Sequence, residues 1–166
     1  MGTTENLQAA FAGESQANRK YLAFAQKAAK EGFAQVAKLF QAVAEAETIH
    51  AHAHLRVLEG VSDTAANLET AMEGEDYEFN TMYPEFIATA EAEGNTKAIK
   101  SFKNAMAVEK IHHDLFVQAL AAVKAGKDLD GQAFHICPVC GHTEMGPAPA
   151  TCPICGVKGE KFLALG

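Results

Sequence analysis

The first 136 residues contain no cysteine, basic residues are few, and no apolar run is long enough to cross a bilayer. The apolar pattern excludes a transmembrane protein. Lys and Arg number 14 against 21 Asp and Glu, which gives a formal net charge of -7. Without a basic surface for phosphates, nucleic acid is not an expected partner.

The N-terminal residues also lack the features of a secretory signal. Met1 to Phe11 has no basic start, apolar middle or small-residue cleavage site. We therefore expect a cytoplasmic protein. The chain has 166 residues, 48% of them hydrophobic, which is enough for one good core and one small satellite domain.

Glycines divide most of the chain into helical segments. Four of them each follow a long run of good helix formers: Gly32, Gly60, Gly94 and Gly126. Glycine is typical of the position just after a helix, so the pattern predicts four helices. Their expected ranges are roughly 4–31, 33–59, 63–93 and 95–125. Asp63 and Asn95 are predicted N-caps, and Pro84 should kink the third helix.

The composition changes after Gly126. A polar linker, Lys127 to Gln132, leads to a stretch rich in Gly, Pro and Cys that has no helical period. This stretch has too few large apolar groups to fold by hydrophobic burial alone, so a bound metal should stabilise it. We predict two domains, a four-helix bundle over 1–129 and a small metal-bound domain over 130–166.

All four cysteines lie in two copies of one motif, Cys137-Pro-Val-Cys140-Gly and Cys152-Pro-Ile-Cys155-Gly. Two thiolates separated by two residues bind one face of a tetrahedral ion, and the glycine lets the backbone turn beneath the sulfur atoms. The motifs predict a four-cysteine metal site. Four sulfur ligands suit zinc and iron alike, so the ligand set leaves both metals open.

Two predicted helices carry Glu-x-x-His, at Glu47 to His50 and at Glu109 to His112. This spacing puts the carboxylate and the imidazole on one face of a helix, one turn apart. With Glu14 and Glu75 on the other two helices, the pattern is typical of a di-metal carboxylate bundle. Burying these carboxylates without cations would cost several kcal/mol each, which favours a metal site.

Further side chains lie near these motifs. Glu78, one turn after Glu75, is a seventh candidate ligand. Tyr21 and Tyr83 are candidates for hydrogen bonds to the ligands or for proton supply, although core packing is an equal alternative. The other histidines are expected outside the ligand set. Among them, His54 is predicted near the ligands, and His135 and His142 on the surface or as hydrogen-bond donors to sulfur.

These motifs closely resemble the rubrerythrin family along nearly the whole chain. The resemblance rests on Gly13-Glu-Ser-Gln16 with Arg19 and Tyr21, both Glu-x-x-His motifs, Gly74-Glu75 through Glu78 to Met82-Tyr-Pro84, and both cysteine motifs. It implies an all-α, ferritin-like four-helix bundle with a di-iron carboxylate centre, followed by a small rubredoxin-like domain.

The resemblance also implies roles for individual residues. The implied di-iron ligands are Glu14, Glu47, His50, Glu75, Glu78, Glu109 and His112. Glu47 and Glu109 are expected to bridge the two irons, and one iron is expected to exchange Glu78 for His50 with oxidation state. Cys137, Cys140, Cys152 and Cys155 are expected to hold one iron rather than zinc.

The expected activity is the reduction of hydrogen peroxide to water in defence against oxidative stress. Electrons would come from a reductase or a rubredoxin-type carrier. A homodimer is expected, in which one subunit's cysteine site faces the other's di-iron site. The alternatives are a ferroxidase or iron-handling bundle with a structural zinc tail, and a redox sensor or electron carrier whose partner does the chemistry.

Overall fold

The computed structural model of the chain describes residues 2–165. The outermost residues of the two predicted domains, Met1 and Gly166, lie outside this range. The described chain divides into two compact units, of which the first ends at Ser62 and the second begins at Asp63. The predicted domain division between residues 129 and 130 stays a prediction.

The first unit is a hairpin of two helices, α1 (Thr3–Lys30) and α2 (Ala34–Val57). Small side chains form the seam, where Ala25, Ala28 and Ala44 are buried. Alanine lets the two helices approach closely. The buried Asn18 joins them as well, because its Nδ2 donates to the Ala44 carbonyl at 2.7 Å.

The helices of the second unit pack against α5 (Thr96–Lys124), its longest helix. Both α3 (Thr64–Tyr77) and α4 (Tyr83–Ala92) lie along it. The first turns of α3 and α5 are capped as predicted, because Asp63 Oδ1 accepts from Ala66 N at 2.9 Å and Asn95 Oδ1 accepts from Ala98 N at 3.1 Å. The caps fix where each helix begins.

A π-helical turn, Glu78–Met82, joins α3 to α4. Its wider bond runs from the Tyr83 N–H to the Glu78 carbonyl. Pro84 lacks an N–H, and its ring would clash with the carbonyl four residues earlier in a regular helix. The third helical segment therefore widens by one residue just upstream of Pro84. Turns of this kind often mark functional sites, and this one begins at a candidate ligand.

Three of the four helices end at the predicted glycine. Gly32, Gly94 and Gly126 have φ of 88°, 69° and 70°, the left-handed conformation expected just after a helix. At the end of α2 the left-handed residue is Glu59, with φ of 55°, and not Gly60. Gly60 N donates to the Leu55 carbonyl at 3.0 Å, so the cap forms one residue earlier than predicted. A non-glycine residue in this conformation costs about 1 to 2 kcal/mol.

The predicted helix ends are otherwise close to those observed. The first, second and fourth helices begin and end within two residues of the predicted ranges. None of the helices in the described part of the chain is long and apolar enough to span a membrane.

Three short antiparallel strands form the small C-terminal sheet, in the order β2-β1-β3. They are β1 (Phe134–Ile136), β2 (Thr143–Met145) and β3 (Leu163–Leu165). The first cysteine motif occupies the connection between β1 and β2. The second lies between β2 and β3, where Gly159 is needed because a Cβ there would collide with the Pro149 carbonyl. The four cysteines therefore lie in the two connections between the strands of this sheet.

Candidate functional site

Three predicted ligands come together within the first unit. Glu14 on α1 and Glu47 and His50 on α2 each offer a ligand atom, and these atoms lie within 4.8 Å of one another. His50 Nδ1 is 3.0 Å from Glu47 Oε2. The His50 side chain is 57% exposed, whereas that of Glu47 is 15% exposed. We call these three residues the hairpin cluster.

Three more predicted ligands come together within the second unit. Glu75 on α3 and Glu109 and His112 on α5 offer ligand atoms that also lie within 4.8 Å of one another. His112 Nδ1 is 2.8 Å from Glu109 Oε2 and 3.9 Å from Glu75 Oε1. Each side chain is less than one-third exposed. We call these residues the α5 cluster, and it repeats the composition of the hairpin cluster.

The electrostatics of the α5 cluster favour a bound cation. Burial and then the charge of Glu109 raise the pKa of Glu75. Burial, followed by the charge of Glu75, raises the pKa of Glu78. The repulsion between these carboxylates is relieved when a positive ion lies between them. Two carboxylates and one imidazole per cluster are the donors used in di-iron carboxylate proteins, so these residues fit that group.

Two further predicted residues lie beside the α5 cluster. Glu78 begins the π-helical turn, one helical turn beyond Glu75. Tyr83 directly follows the same turn, and its pKa is raised by burial first and then by the charges of Glu78, Glu109 and Glu75. The tyrosine therefore holds its proton close to the carboxylates. The assignment of Glu78 as a ligand stays a prediction.

Tyr21, the other candidate tyrosine, lies in an aromatic group of the hairpin. Its ring centroid is 6.2 Å from that of Phe24 and 6.1 Å from that of Phe40. These contacts support the packing alternative, and its role near a metal stays a prediction.

His135 and His142 are not ordinary surface residues. His142 is only 4% exposed, and its Nε2 lies 3.1 Å from Glu144 Oε2. His135 is partly buried, and its Nδ1 lies 2.6 Å from the Gly146 carbonyl. Both rings therefore help to hold the small sheet around the cysteines, which their sequence positions do not indicate.

The four cysteines form the predicted cluster in the small domain. Their sulfur atoms all lie within 4.8 Å of one another. Cys137 Sγ is 3.5 Å from Cys155 Sγ, and Cys140 Sγ is 3.6 Å from Cys152 Sγ. A tetrahedral site with metal–sulfur bonds of about 2.3 Å has sulfur–sulfur edges of about 3.8 Å, whereas a disulfide bond is about 2.05 Å long. The geometry fits a tetrahedral metal ion.

The backbone around the cysteines has the predicted turns. Gly141 has φ of 85° and donates to the Cys137 carbonyl at 3.0 Å, and Gly156 has φ of 78° and donates to the Cys152 carbonyl at 3.0 Å. Burial opposes ionisation of Cys137, but the backbone N–H groups of Cys140 and Val139, together with neighbouring thiols, outweigh it and lower its pKa to about 7. Burial raises the pKa of Cys140, so Cys137 is the thiol that ionises first of these two. The turns thus aim N–H groups at a thiolate, which is the form that binds metal.

The small domain contacts the α5 cluster of the same chain, whereas the expected homodimer has one subunit's cysteine site facing the other's di-iron site. His112 Nε2 lies 3.1 Å from Thr143 Oγ1 and 3.4 Å from the Gly141 carbonyl. Gly141 directly follows Cys140, so the cysteine site and a candidate iron ligand are joined by a short path. Sequence reasoning did not identify Thr143, because it is 31 residues from His112 and belongs to no metal-binding motif.

Comparisons with known proteins agree with this arrangement. The family model described as Rubrerythrin matches residues 5–120, and one described as Rubrerythrin, rubredoxin-like domain matches residues 135–163. Rubrerythrin-2 of Clostridium acetobutylicum is 36% identical over 98% of this chain and 96% of its own length. Nigerythrin of Nitratidesulfovibrio vulgaris is 38% identical over 98% of this chain and 86% of its own length.

Solved structures of nigerythrin are also similar. A mixed-valent form is 37% identical and has a TM-score of 0.60, covering 99% of this chain and 88% of that chain. A fully reduced form, described as all ferrous, is 36% identical with the same TM-score. These matches confirm the predicted fold class, a ferritin-like helical region followed by a small rubredoxin-like domain. The two carboxylate and histidine clusters are compatible with the di-iron centre of such proteins, and the four-cysteine cluster is compatible with their rubredoxin-like iron site.

Proposed function

The chain belongs to the rubrerythrin family, and from this premise we propose that it is a peroxidase that reduces hydrogen peroxide to water. One observation carries the proposal. Two carboxylate and histidine clusters occur together with a four-cysteine cluster, and the backbone beside the cysteines contacts one of the histidines. That contact gives electrons a path from the cysteine site to a helical ligand, which a peroxidase needs and a storage bundle with a structural zinc tail does not require.

Iron at the helical ligands would supply the two electrons that convert one peroxide to two waters, and iron on four thiolates would return electrons one at a time. The protein's part is to hold these charges and to supply protons. The glutamates of the two clusters would offset the positive charge of bound iron. Tyr83, whose raised pKa keeps it protonated, holds a proton next to them.

We further propose that Glu78 and His50 alternate as ligands when the oxidation state changes. His50 has the most exposed side chain of the hairpin cluster, at 57%, so packing within its own chain does not fix the ring against a metal. Glu78 lies at the start of the π-helical turn, where a wider backbone can shift more easily than a regular helix.

The electron donor we propose is a reductase or a small rubredoxin-type carrier. Val139, between the first two cysteines, is 63% exposed, so a partner can approach that edge of the cysteine site. The four thiols must stay reduced to bind metal, which suits a cytoplasmic location.

We propose that the protein is a homodimer and that the two clusters of each di-iron centre come from different copies. Each cluster lies wholly within one unit, and each supplies three of the seven expected ligands. The hairpin of α1 and α2 also leaves large apolar side chains exposed, such as Leu39 at 63% and Ile49 at 61%. Two helices joined mainly through alanines need a further partner to bury such groups.

The length of one connection supports this exchange. A ferritin-like bundle has one long crossover connection, which joins two parallel helices. Here α2 and α3 are joined only by Leu58–Asp63. Fully extended, these residues span at most about 25 Å.

A parallel arrangement within one copy needs a longer span. Glu47 lies about 15 Å before the end of α2 at Val57, and Glu75 lies about 16 Å after the start of α3 at Thr64. With both ligands at one level, the connection would have to cover about 30 Å along the bundle. The hairpin of a second copy removes this requirement.

The choice of oxidant tests the peroxidase proposal against the ferroxidase alternative. Iron-loaded protein with an electron donor should consume peroxide much faster than dioxygen, and its iron should stay bound as a fixed number of ions per chain. Faster consumption of dioxygen, with iron accumulating beyond that number, would favour the iron-handling alternative. The measurement is the rate at which dioxygen and peroxide are consumed, each followed with an electrode and with the same electron donor.

A further inference from the structure

The imidazole of His112 faces the candidate iron ligands with one nitrogen and the small domain with the other. Nδ1 lies 2.8 Å from Glu109 Oε2. Nε2 lies 3.1 Å from Thr143 Oγ1 and 3.4 Å from the Gly141 carbonyl. Thr143 is the first residue of β2, so the side chain that reaches His112 is part of the sheet that frames the cysteines.

The hydrogen atoms at this contact define the role of Thr143. A histidine that gives its Nδ1 lone pair to a metal carries its proton on Nε2, and that N–H needs an acceptor. The Thr143 hydroxyl donates its own hydrogen to the Gly141 carbonyl at 3.1 Å. A lone pair of its oxygen is then available to His112 Nε2. Every polar group in this contact has a partner when a metal is bound at Nδ1.

Thr143 is also tied to the cysteines from two sides. In the sheet it pairs with Ile136, the residue before Cys137. Along the chain it lies three residues after Cys140, and its hydroxyl bonds to the carbonyl of the intervening Gly141. A movement of the cysteine site therefore carries the hydroxyl with it, and the hydroxyl in turn holds the ring of His112.

We propose, on the basis of the peroxidase function given above, that Thr143 is a positioning residue for electron transfer. Its hydroxyl fixes the ring of His112, and at 3.1 Å it lies closer to Nε2 than the Gly141 carbonyl, which is 3.4 Å away. In the step it supports, the four-cysteine iron loses one electron and a ferric ion in the helical region gains it. No bond breaks, and no proton leaves His112.

Thr143→Val tests this role because valine has nearly the shape of threonine, with a methyl group in place of the hydroxyl. Loss of a group that orients a metal-bound histidine typically costs 10-fold to 100-fold in activity or metal affinity. We therefore expect the reduced four-cysteine site to be reoxidised by the oxidised helical centre about 10-fold more slowly. Thr143→Ser should restore the rate. Thr89→Val makes the same chemical change at an exposed position of α4, where the hydroxyl donates to the Glu85 carbonyl at 3.0 Å, and should behave as wild type.

A second readout does not depend on activity. In protein loaded with zinc, which is diamagnetic, the proton on His112 Nε2 should give an NMR signal, and its exchange with water should be slow. Thr143→Val should increase that exchange and shift the signal, and Thr143→Ser should not. A Thr143→Val protein with wild-type transfer rate and wild-type His112 signal would overturn the proposal, as would a serine variant no better than valine. If the reduced wild type fails to react with peroxide, the peroxidase proposal fails, while the zinc-loaded comparison still judges Thr143.

Discussion

Mixing two inactive variants, Glu47→Ala and Glu109→Ala, is expected to restore peroxide reduction. Alone, each variant lacks a carboxylate in every di-iron centre, so each should lose nearly all activity. If the hairpin is exchanged, a mixed dimer contains one centre with both defects and one centre with neither. Random mixing makes half of the dimers mixed, and one centre in two is intact in each, so about a quarter of wild-type activity should return.

A matched mixture controls for nonspecific recovery. Glu14 and Glu47 both belong to the hairpin cluster. Mixing Glu14→Ala with Glu47→Ala leaves a defect in every centre, whether or not the hairpin is exchanged, and should restore nothing. The chains must be unfolded and refolded together, and activity is then measured with iron and an electron donor. A Glu47→Ala and Glu109→Ala mixture that stays inactive, while refolded wild type is active, would show that each centre is built from one copy.

Zinc in place of iron at the four cysteines is expected to abolish sustained turnover while leaving the first reaction intact. Zinc has the same tetrahedral preference for sulfur ligands but no redox chemistry. The small domain should therefore fold normally, with Gly141 and Thr143 still against His112. The reduced helical centre should oxidise once with peroxide at the wild-type rate. Turnover with a carrier protein should then fall to background, because electrons no longer reach the helical centre.

The comparison uses one preparation refolded with zinc and then loaded anaerobically with iron in the helical region, beside a preparation given iron at both sites. Metal analysis and the visible thiolate-to-iron absorption check the loading. Sustained turnover by the zinc form at the rate of the iron form would mean that electrons enter the helical centre directly. The four-cysteine site would then be structural, as the zinc-tail alternative holds.

Sequence patterns predicted the parts of the site that depend on local geometry. Glu-x-x-His fixes two side chains on one face of a helix, so Glu109 and His112 meet regardless of the rest of the fold. Cys-x-x-Cys-Gly similarly contains its own turn, and both glycines adopt the expected left-handed φ. The helix caps at Asp63 and Asn95 are local in the same sense.

Sequence patterns did not predict the features that depend on contacts between residues far apart in the chain. The bond between His112 and Thr143 depends on where the small domain docks, and the burial of His142 depends on how three strands close around the cysteines. The sequence predicted one helix over 63–93 with a kink at Pro84. A kink and a π-helical turn both relieve the clash at that proline, so the sequence does not tell which of them forms. The division of the chain at Ser62 and Asp63 has no signal beyond a short connection.

The most direct test of the central claim is an anaerobic stopped-flow reaction of fully reduced, iron-loaded protein with hydrogen peroxide. With one equivalent of peroxide per helical centre, that centre should lose two electrons in a fast first phase. The visible absorption of the ferric four-cysteine site should appear in a slower phase, as that site passes its one electron to the helical centre. Oxidation no faster with peroxide than with dioxygen, or a four-cysteine site that never changes colour, would contradict the account.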